Sequence, residues 1–188
     1  MSSTISLSQS STTSLRLAMR KLWSDHVVWT RCYVVSAISD LPDTGATAAR
    51  LLRNQEEIGN AIVPYYGQAA GDRLTQLLKE HITIAVDLVA AAKTGDQNKF
   101  SDADTRWTKN ASDIATFLNK ANPNWPEKDV TDLLNLHLKL TKEEATARLN
   151  KNWNEDIGKF DEIFTEIMVL ADALADGVVK QFPDKFNA

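Results

Sequence analysis

Three histidines, His26, His81 and His137, are the side chains in this sequence best suited to chemistry. A neutral imidazole ligates transition metals, and a buried one left without a partner costs about 1–3 kcal/mol. Each lies within an apolar stripe at helical spacing. His26 has Leu22 before it and Trp29 and Tyr33 after it. His81 follows Leu74 and Leu77 and precedes Ile84 and Leu88, while His137 follows Val130 and Leu133 and precedes Leu140. All three are therefore expected to point into a core. In an up-down bundle alternate helices run parallel, so at ~1.5 Å rise per residue the rings should lie within about a turn of one another in height.

A second set of polar residues recurs with them. Sliding the chain so that Arg50 falls on Arg106 also superposes Asn54 on Asn110, Ile58 on Ile114, Thr75 on Thr131, His81 on His137 and Ala91 on Ala147, with no gap. A shift one residue shorter places Leu22, Asp25 and His26 on Leu77, Glu80 and His81. Arg148, Lys151, Asn152, Asp156 and Ile157 form a third copy of the other half with one inserted residue, and Glu166 stands where a fourth histidine would be. The sequence reads as a two- to three-fold repeat of a helix pair. One helix of each pair carries the histidine. The other carries Arg, Asn and an acid on one face: Arg50, Asn54 and Glu57; Arg106, Asn110 and Asp113; Arg148, Asn152 and Asp156.

Three chemistries fit that pattern. In the first, the chain is a structural or protein-interaction module whose layer only fixes helix packing: arginines pair with acids and asparagines bond to histidines. In the second, His26, His81 and His137 hold a transition metal such as zinc, iron or copper, with Glu57, Asp113, Asp156 or Glu166 as carboxylate. The residues three before the histidines are Trp23, Leu78 and Leu134, so the Glu-x-x-His signature of di-iron bundles is missing, and so is HExxH. In the third, Arg50, Arg106 and Arg148, helped by Asn54, Asn110 and Asn152, grip a small anion inside the bundle. No nucleophile or tuned acid–base pair accompanies these residues, and the reading leans toward a non-enzymatic binding protein. Asp25 and Glu80 are read as solvated flank charges, because adjacent helical residues face different ways.

The elements that must position these residues are helices throughout. The periodicity predicts six: about Thr13 to Ser39, Ala46 to Val63, Ala69 to Lys93, Asn98 to Lys120, one from Glu127, and a last one reaching about Gln181. Asp40 to Gly45, Pro64 to Gly67, Thr94 to Asp96 and Asn122 to Pro126 punctuate them. The fifth either stops where Thr141-Lys-Glu-Glu144 opens a new helix as a capping box, or continues to about Leu149. Short loops make sequential neighbours antiparallel, which predicts an all-α, up-down bundle. Phe160, Ile163, Ile167, Leu170 and Leu174 on the last helix pack internally, with a homodimer seam as the alternative.

Composition removes several function classes. With 21 basic and 25 acidic residues the net charge is -4, and the basic residues are scattered, which argues against nucleic-acid binding. No apolar run approaches the ~20 residues of a membrane span. The Ser- and Thr-rich start lacks the basic and apolar regions of a signal peptide, so residues 1–12 are read as a disordered tail before one domain at 13–188, and the setting as cytoplasmic. Cys32 is alone, which excludes an intramolecular disulfide, and its apolar neighbours suggest a buried, inert thiol. Trp107, Trp125, Trp153, Tyr65 and Tyr66 are read as core and loop-packing aromatics rather than a ligand cage.

Several segments also carry a resemblance. Leu22 to Arg31, Ala49 to Asn54, Pro64 to Gly67, Glu80-His81, His137 to Ala145 and Gln181 to Pro183 are similar to those of an uncharacterised bacterial family of about this length. The resemblance spans nearly the whole chain beyond the tail. Some members of that family bear names such as acetylglutamate kinase or glycosyltransferase. This sequence has neither the Gly-rich phosphate loop nor the αβ alternation such enzymes use, and the resemblance assigns no functional residue.

Overall fold

A computed structural model describes residues 11–186. Six helices follow one another: α1 (Ser11–Ile38), α2 (Thr44–Tyr66), α3 (Gln68–Thr94), α4 (Gln97–Ala121), α5 (Glu127–Leu149) and α6 (Trp153–Gln181), then a 3₁₀ turn at Pro183–Lys185. Among the described residues there is no strand, and no helix is long and apolar enough to cross a membrane. The fold is an all-helical up-down bundle in which each helix packs on its chain neighbours and α6 returns to α1. The odd helices α1, α3 and α5 also touch one another, so they meet at the bundle axis.

The predicted helices match closely, with two differences. Helix α1 already runs at Ser11, two residues earlier than expected; the rest of the predicted tail lies outside the described residues. Helix α2 passes through Pro64 to Tyr66, since a proline so near the C-terminus removes only one late hydrogen bond. Of the two endings expected for the fifth helix, the longer one forms: α5 continues unbroken to Leu149. Thr141 is not a cap: its Oγ1 donates back to the His137 carbonyl at 2.8 Å, a contact available only inside a helix.

Two apolar cores fill the interior. The larger includes Met19, Trp23, Val27, Ile58, Leu77, Ile114, Ile167 and Leu170; the smaller comprises Tyr33, Val34, Leu51, Ile82, Val89 and Ala145. Ile163, Ile167, Leu170 and Leu174 are buried within the bundle, as expected for internal packing of α6. Two close approaches set helix spacing. A Cβ on Gly59 would lie 1.9 Å from Thr75 Oγ1 and 2.7 Å from the Gly71 carbonyl, so α2 and α3 cross backbone to backbone. A Cβ on Gly177 would sit 2.0 Å from Nε1 of Trp125, whose indole N–H donates to the Leu174 carbonyl at 3.2 Å.

Candidate functional site

The height of each histidine is set by how its helix ends. Helices α1, α3 and α5 stop at a left-handed residue: Asp40 (φ 53°), Gly95 (φ 71°) and Lys151 (φ 59°). In each case the next amide turns back on the helix: Leu41 donates to Ser36, Asp96 to Ala91 and Asn152 to Ala147, at 2.9–3.0 Å. This closure satisfies the last carbonyls and fixes the turn. His26, His81 and His137 stand at one common interval before these three residues, so three parallel helices bring the rings to one level. Their centroids lie 5.6 Å (His26 to His137), 6.5 Å (His26 to His81) and 6.5 Å (His81 to His137) apart. All three are buried.

The rings wall a cavity of about 20 Å³, with Thr30, Leu51, Leu88, Trp107 and Thr141 among its other walls. That volume admits one water or one ion. Each ring is tethered at Nδ1 to the helix that follows, always 29 residues on. His26 Nδ1 faces Gln55 Nε2 at 3.3 Å, His81 Nδ1 faces Asn110 Oδ1 at 2.9 Å, and His137 Nδ1 faces Glu166 Oε2 at 3.2 Å. The Asn110 amide is oriented by its own Nδ2, which donates to the Leu77 carbonyl at 3.1 Å. Its oxygen therefore accepts from His81, which puts the His81 proton on Nδ1 and leaves Nε2 as a lone pair. Glu166 accepts from His137 in the same sense. Burial, with His137 and His81 as electropositive neighbours, holds His26 well below the usual histidine range; burial and His137 lower His81 to about 3. Both rings are neutral at pH 7.

The arginines are elsewhere. Arg106 is 44% exposed and bridges Asp102 (2.8 Å) and Asp87 (3.1 Å) on the surface. Arg50 pairs with Glu57 at 3.2 Å and Asp25 at 3.7 Å, and lies over the Trp29 ring. Arg148 reaches Asp156 at 3.1 Å and covers Trp153. No shared arginine cluster exists, and the anion site expected from Arg50, Arg106 and Arg148 is not formed. The supporting residues disperse too. Asn54 donates to the Leu22 carbonyl at 3.0 Å rather than to a histidine, and Asn152 precedes α6 at the surface, its side chain donating to Glu155. Of the four proposed carboxylate ligands, Asp113 pairs with exposed Lys109, Glu57 with Arg50, and Asp156 with two arginines; only Glu166 meets a histidine, at His137 Nδ1. Cys32 is half-buried rather than sealed in the core.

Residues that pattern reading passed over complete the interior. Gln55 is fully buried beside His26. Arg31 joins Glu144 and also Asp156, at 2.8 and 3.3 Å, and Arg148 holds the other side of Asp156. This four-membered ion network links α1, α5 and α6 near the histidine layer. Burial pushes the Glu144 carboxyl up to about 7 against the pull of Arg31.

No family model, curated protein or solved structure matches the chain. What the site can do rests on its geometry. Among the described residues no group of three or more His, Cys, Asp or Glu side chains is set to hold a metal ion as it stands. Rings ligating through Nε2 at ~2.0–2.1 Å place their centroids about 3.2 Å from the metal, whereas centroids spaced by 5.6–6.5 Å lie about 3.6 Å from their common centre, so ligation would require the rings both to close and to aim Nε2 at that centre.

Proposed function

We propose that this bundle is a non-enzymatic metal-binding protein that takes one divalent transition-metal ion through Nε2 of His26, His81 and His137. The observation that carries the reading is the convergence of three buried imidazoles, from three separate helices, on one ion-sized cavity. A ligating histidine characteristically donates its other ring N–H to a carboxylate or carbonyl oxygen, which fixes the ring and raises its basicity. Asn110 and Glu166 do this for His81 and His137. Neutral imidazoles are the form that binds metal, and the depressed basicity of His26 and His81 keeps protons from competing. Three nitrogen donors with no thiolate suit zinc, iron(II) or copper(II), with water in the remaining position. Glu166 would offset part of the ion's charge. A helix pair that contributes one ligand and one supporting side chain is also what the sequence repeat would supply three times over.

A structural reading is favoured by a different observation. With the Nδ1 atoms tethered to Gln55, Asn110 and Glu166, one water would suffice to satisfy the three remaining ring nitrogens, accepting from His26 Nε2–H and donating to the others. The two readings separate on elemental analysis of untagged protein and on titration with Co²⁺ and Zn²⁺. Metal binding predicts one ion per chain, with His81→Phe abolishing it. A wild type that takes up no more ion than His81→Phe refutes the metal reading.

A further inference from the structure

An open groove of about 490 Å³, a volume typical of small-ligand sites, lies between α5 and α6 on the outside of the bundle. Leu133, Leu136 and Leu140 wall it from α5, one helical stripe at spacings of three and four, and Val169 lines it from α6. Leu136 and Val169 are 42% and 53% exposed, which leaves both side chains free to move. Among the described residues every charged side chain lining the groove is acidic: Asp161, Glu162 and Glu166. Glu162 is held by Lys159 at 3.0 Å, but the Asp161 carboxylate has no partner among the described residues. Glu166 is only 6% exposed; its Oε2 faces His137 Nδ1 at 3.2 Å, while its Oε1 is buried with no partner at all.

A buried carboxylate oxygen without a donor is costly, so the groove favours an occupant that supplies one. Leucine and valine walls suit an aliphatic body, and unpaired acids suit positive charge. A metal ion is not the match. It needs ligands that converge on one point, and among the described residues no three acidic, His or Cys side chains do so. The two unpaired carboxylates are instead spread along α6, five positions and about 7.5 Å of helix rise apart. Charges at the two ends of a flexible chain fit that spread. We propose that the α5–α6 groove is a binding site for an aliphatic diamine: one ammonium meets buried Glu166, the methylene chain lies on Leu136 and Val169, and the second ammonium meets Asp161 at the rim. Glu166 Oε1 is covered, so the first ammonium reaches it as the half-exposed wall side chains swing aside. The site goes beyond the histidine cavity and does not depend on what that cavity holds. The two share one residue, since Glu166 offers one oxygen to the diamine and the other to His137.

Titration calorimetry of the full chain with diaminopentane, aminopentane and pentanediol tests the assignment. Diaminopentane should bind saturably at neutral pH, and pentanediol, with the same chain and no charge, should not. Glu166→Gln should lose about 10- to 100-fold in affinity for both amines, the worth of a charge-assisted hydrogen bond. The diamine should bind about 2- to 5-fold more tightly than aminopentane, as an exposed ion pair allows, and Asp161→Asn should erase that preference. Wild type gives a second reading that needs no variant to fold. Diaminopentane should shift the ¹⁵N resonances of the His137 ring, which Glu166 holds, and leave those of His81, which Asn110 holds, in place. No saturable binding of diaminopentane, equal binding of pentanediol, undiminished affinity in Glu166→Gln, or a His137 ring that does not respond each overturns the proposal. A preference for the diamine that survives Asp161→Asn overturns the placement of the second ammonium. Nα-acetyl-lysinamide, a lysine side chain with one ammonium, should bind no better than aminopentane. If it matches the diamine, the occupant is a lysine of a partner protein and the diamine assignment falls.

Discussion

Replacing Arg31 by Met tests whether the ion network beside the histidines is a buried or a surface interaction. The Arg31 side chain is 20% exposed and its partner Glu144 only 2%. Among the described residues Glu144 has no other hydrogen-bond donor, whereas Asp156 keeps Arg148. Met preserves packing over the Phe160 ring, where the guanidinium now lies. The change therefore leaves one carboxylate unpaired in low dielectric, which costs about 3–5 kcal/mol. For a chain of this size each kcal/mol moves Tm by about 2–4 °C, so the loss at pH 8 should be about 6–20 °C. A solvated ion pair would cost at most about 1 kcal/mol. Acid should relieve the penalty. Glu144 takes its proton at about 7 in the folded protein, above its unfolded value, so between pH 4.5 and 7 the folded state holds more protons and gains stability as pH falls. Losing Arg31 raises that folded value further. Thermal melts of wild type, Arg31→Met and Arg31→Met/Glu144→Gln at pH 8 and pH 5 decide the matter. The single variant should lose more at pH 8 than at pH 5, and the double should recover most of it. A shift under about 4 °C at pH 8, or one equal at both pH values, refutes the reasoning.

Three further outcomes follow from the same geometry. Arg106→Met should leave the melting temperature essentially unchanged, and millimolar phosphate or sulfate should leave the wild-type value unmoved, because Arg106 is a surface bridge. Gly59→Ala and Gly177→Ala should each cost about 1–3 kcal/mol in denaturant melts, by pushing α2 from α3 and Trp125 from α6, whereas Gly158→Ala, with open space around it, should cost nothing or stabilise. Metal-free protein should lose a contribution to its stability as pH falls below 6.5, because His26 and His81 stay neutral when folded but charge when unfolded. His81→Gln should flatten that slope, and a slope unchanged in the variant would count against neutral burial of the ring.

The histidines were legible because a polar residue inside an apolar stripe has one reason to be there, and the same residue at matched positions fixes the helix face. The arginines were misjudged on the same argument. Arg106 and Asp113 both lie to one side of buried Asn110 on α4, about 40° and 60° around the helix from it, beyond the edge of the buried stripe. A long guanidinium at such an edge reaches outward to water. Gln55 was missed because alignment without gaps paired Asn54 with Asn110, and the first helix pair is one residue shorter than the second in reaching its histidine. Glu144 was hidden by its own neighbours: the capping box at Thr141, one of the two readings of that stretch, would assign it to a helix start that does not exist. The stops at Asp40 and Lys151 carried no glycine to announce their left-handed backbone, though Gly95 did.

The enclosure of the histidine cavity separates how tightly an occupant is held from how quickly it comes and goes. With rings only a few per cent accessible and a second apolar core of Tyr33, Val34, Leu51, Ile82, Val89 and Ala145 nearby, nothing larger than a water passes without the odd helices parting. Such openings belong to the local-unfolding regime, far slower than ligand exchange at an open site. Entry and exit are then both gated by the same breathing motion. An occupant of modest affinity would still outlast a chelator added outside, and its release would quicken with denaturant well below the unfolding midpoint, following the bundle's clock rather than the strength of its bonds.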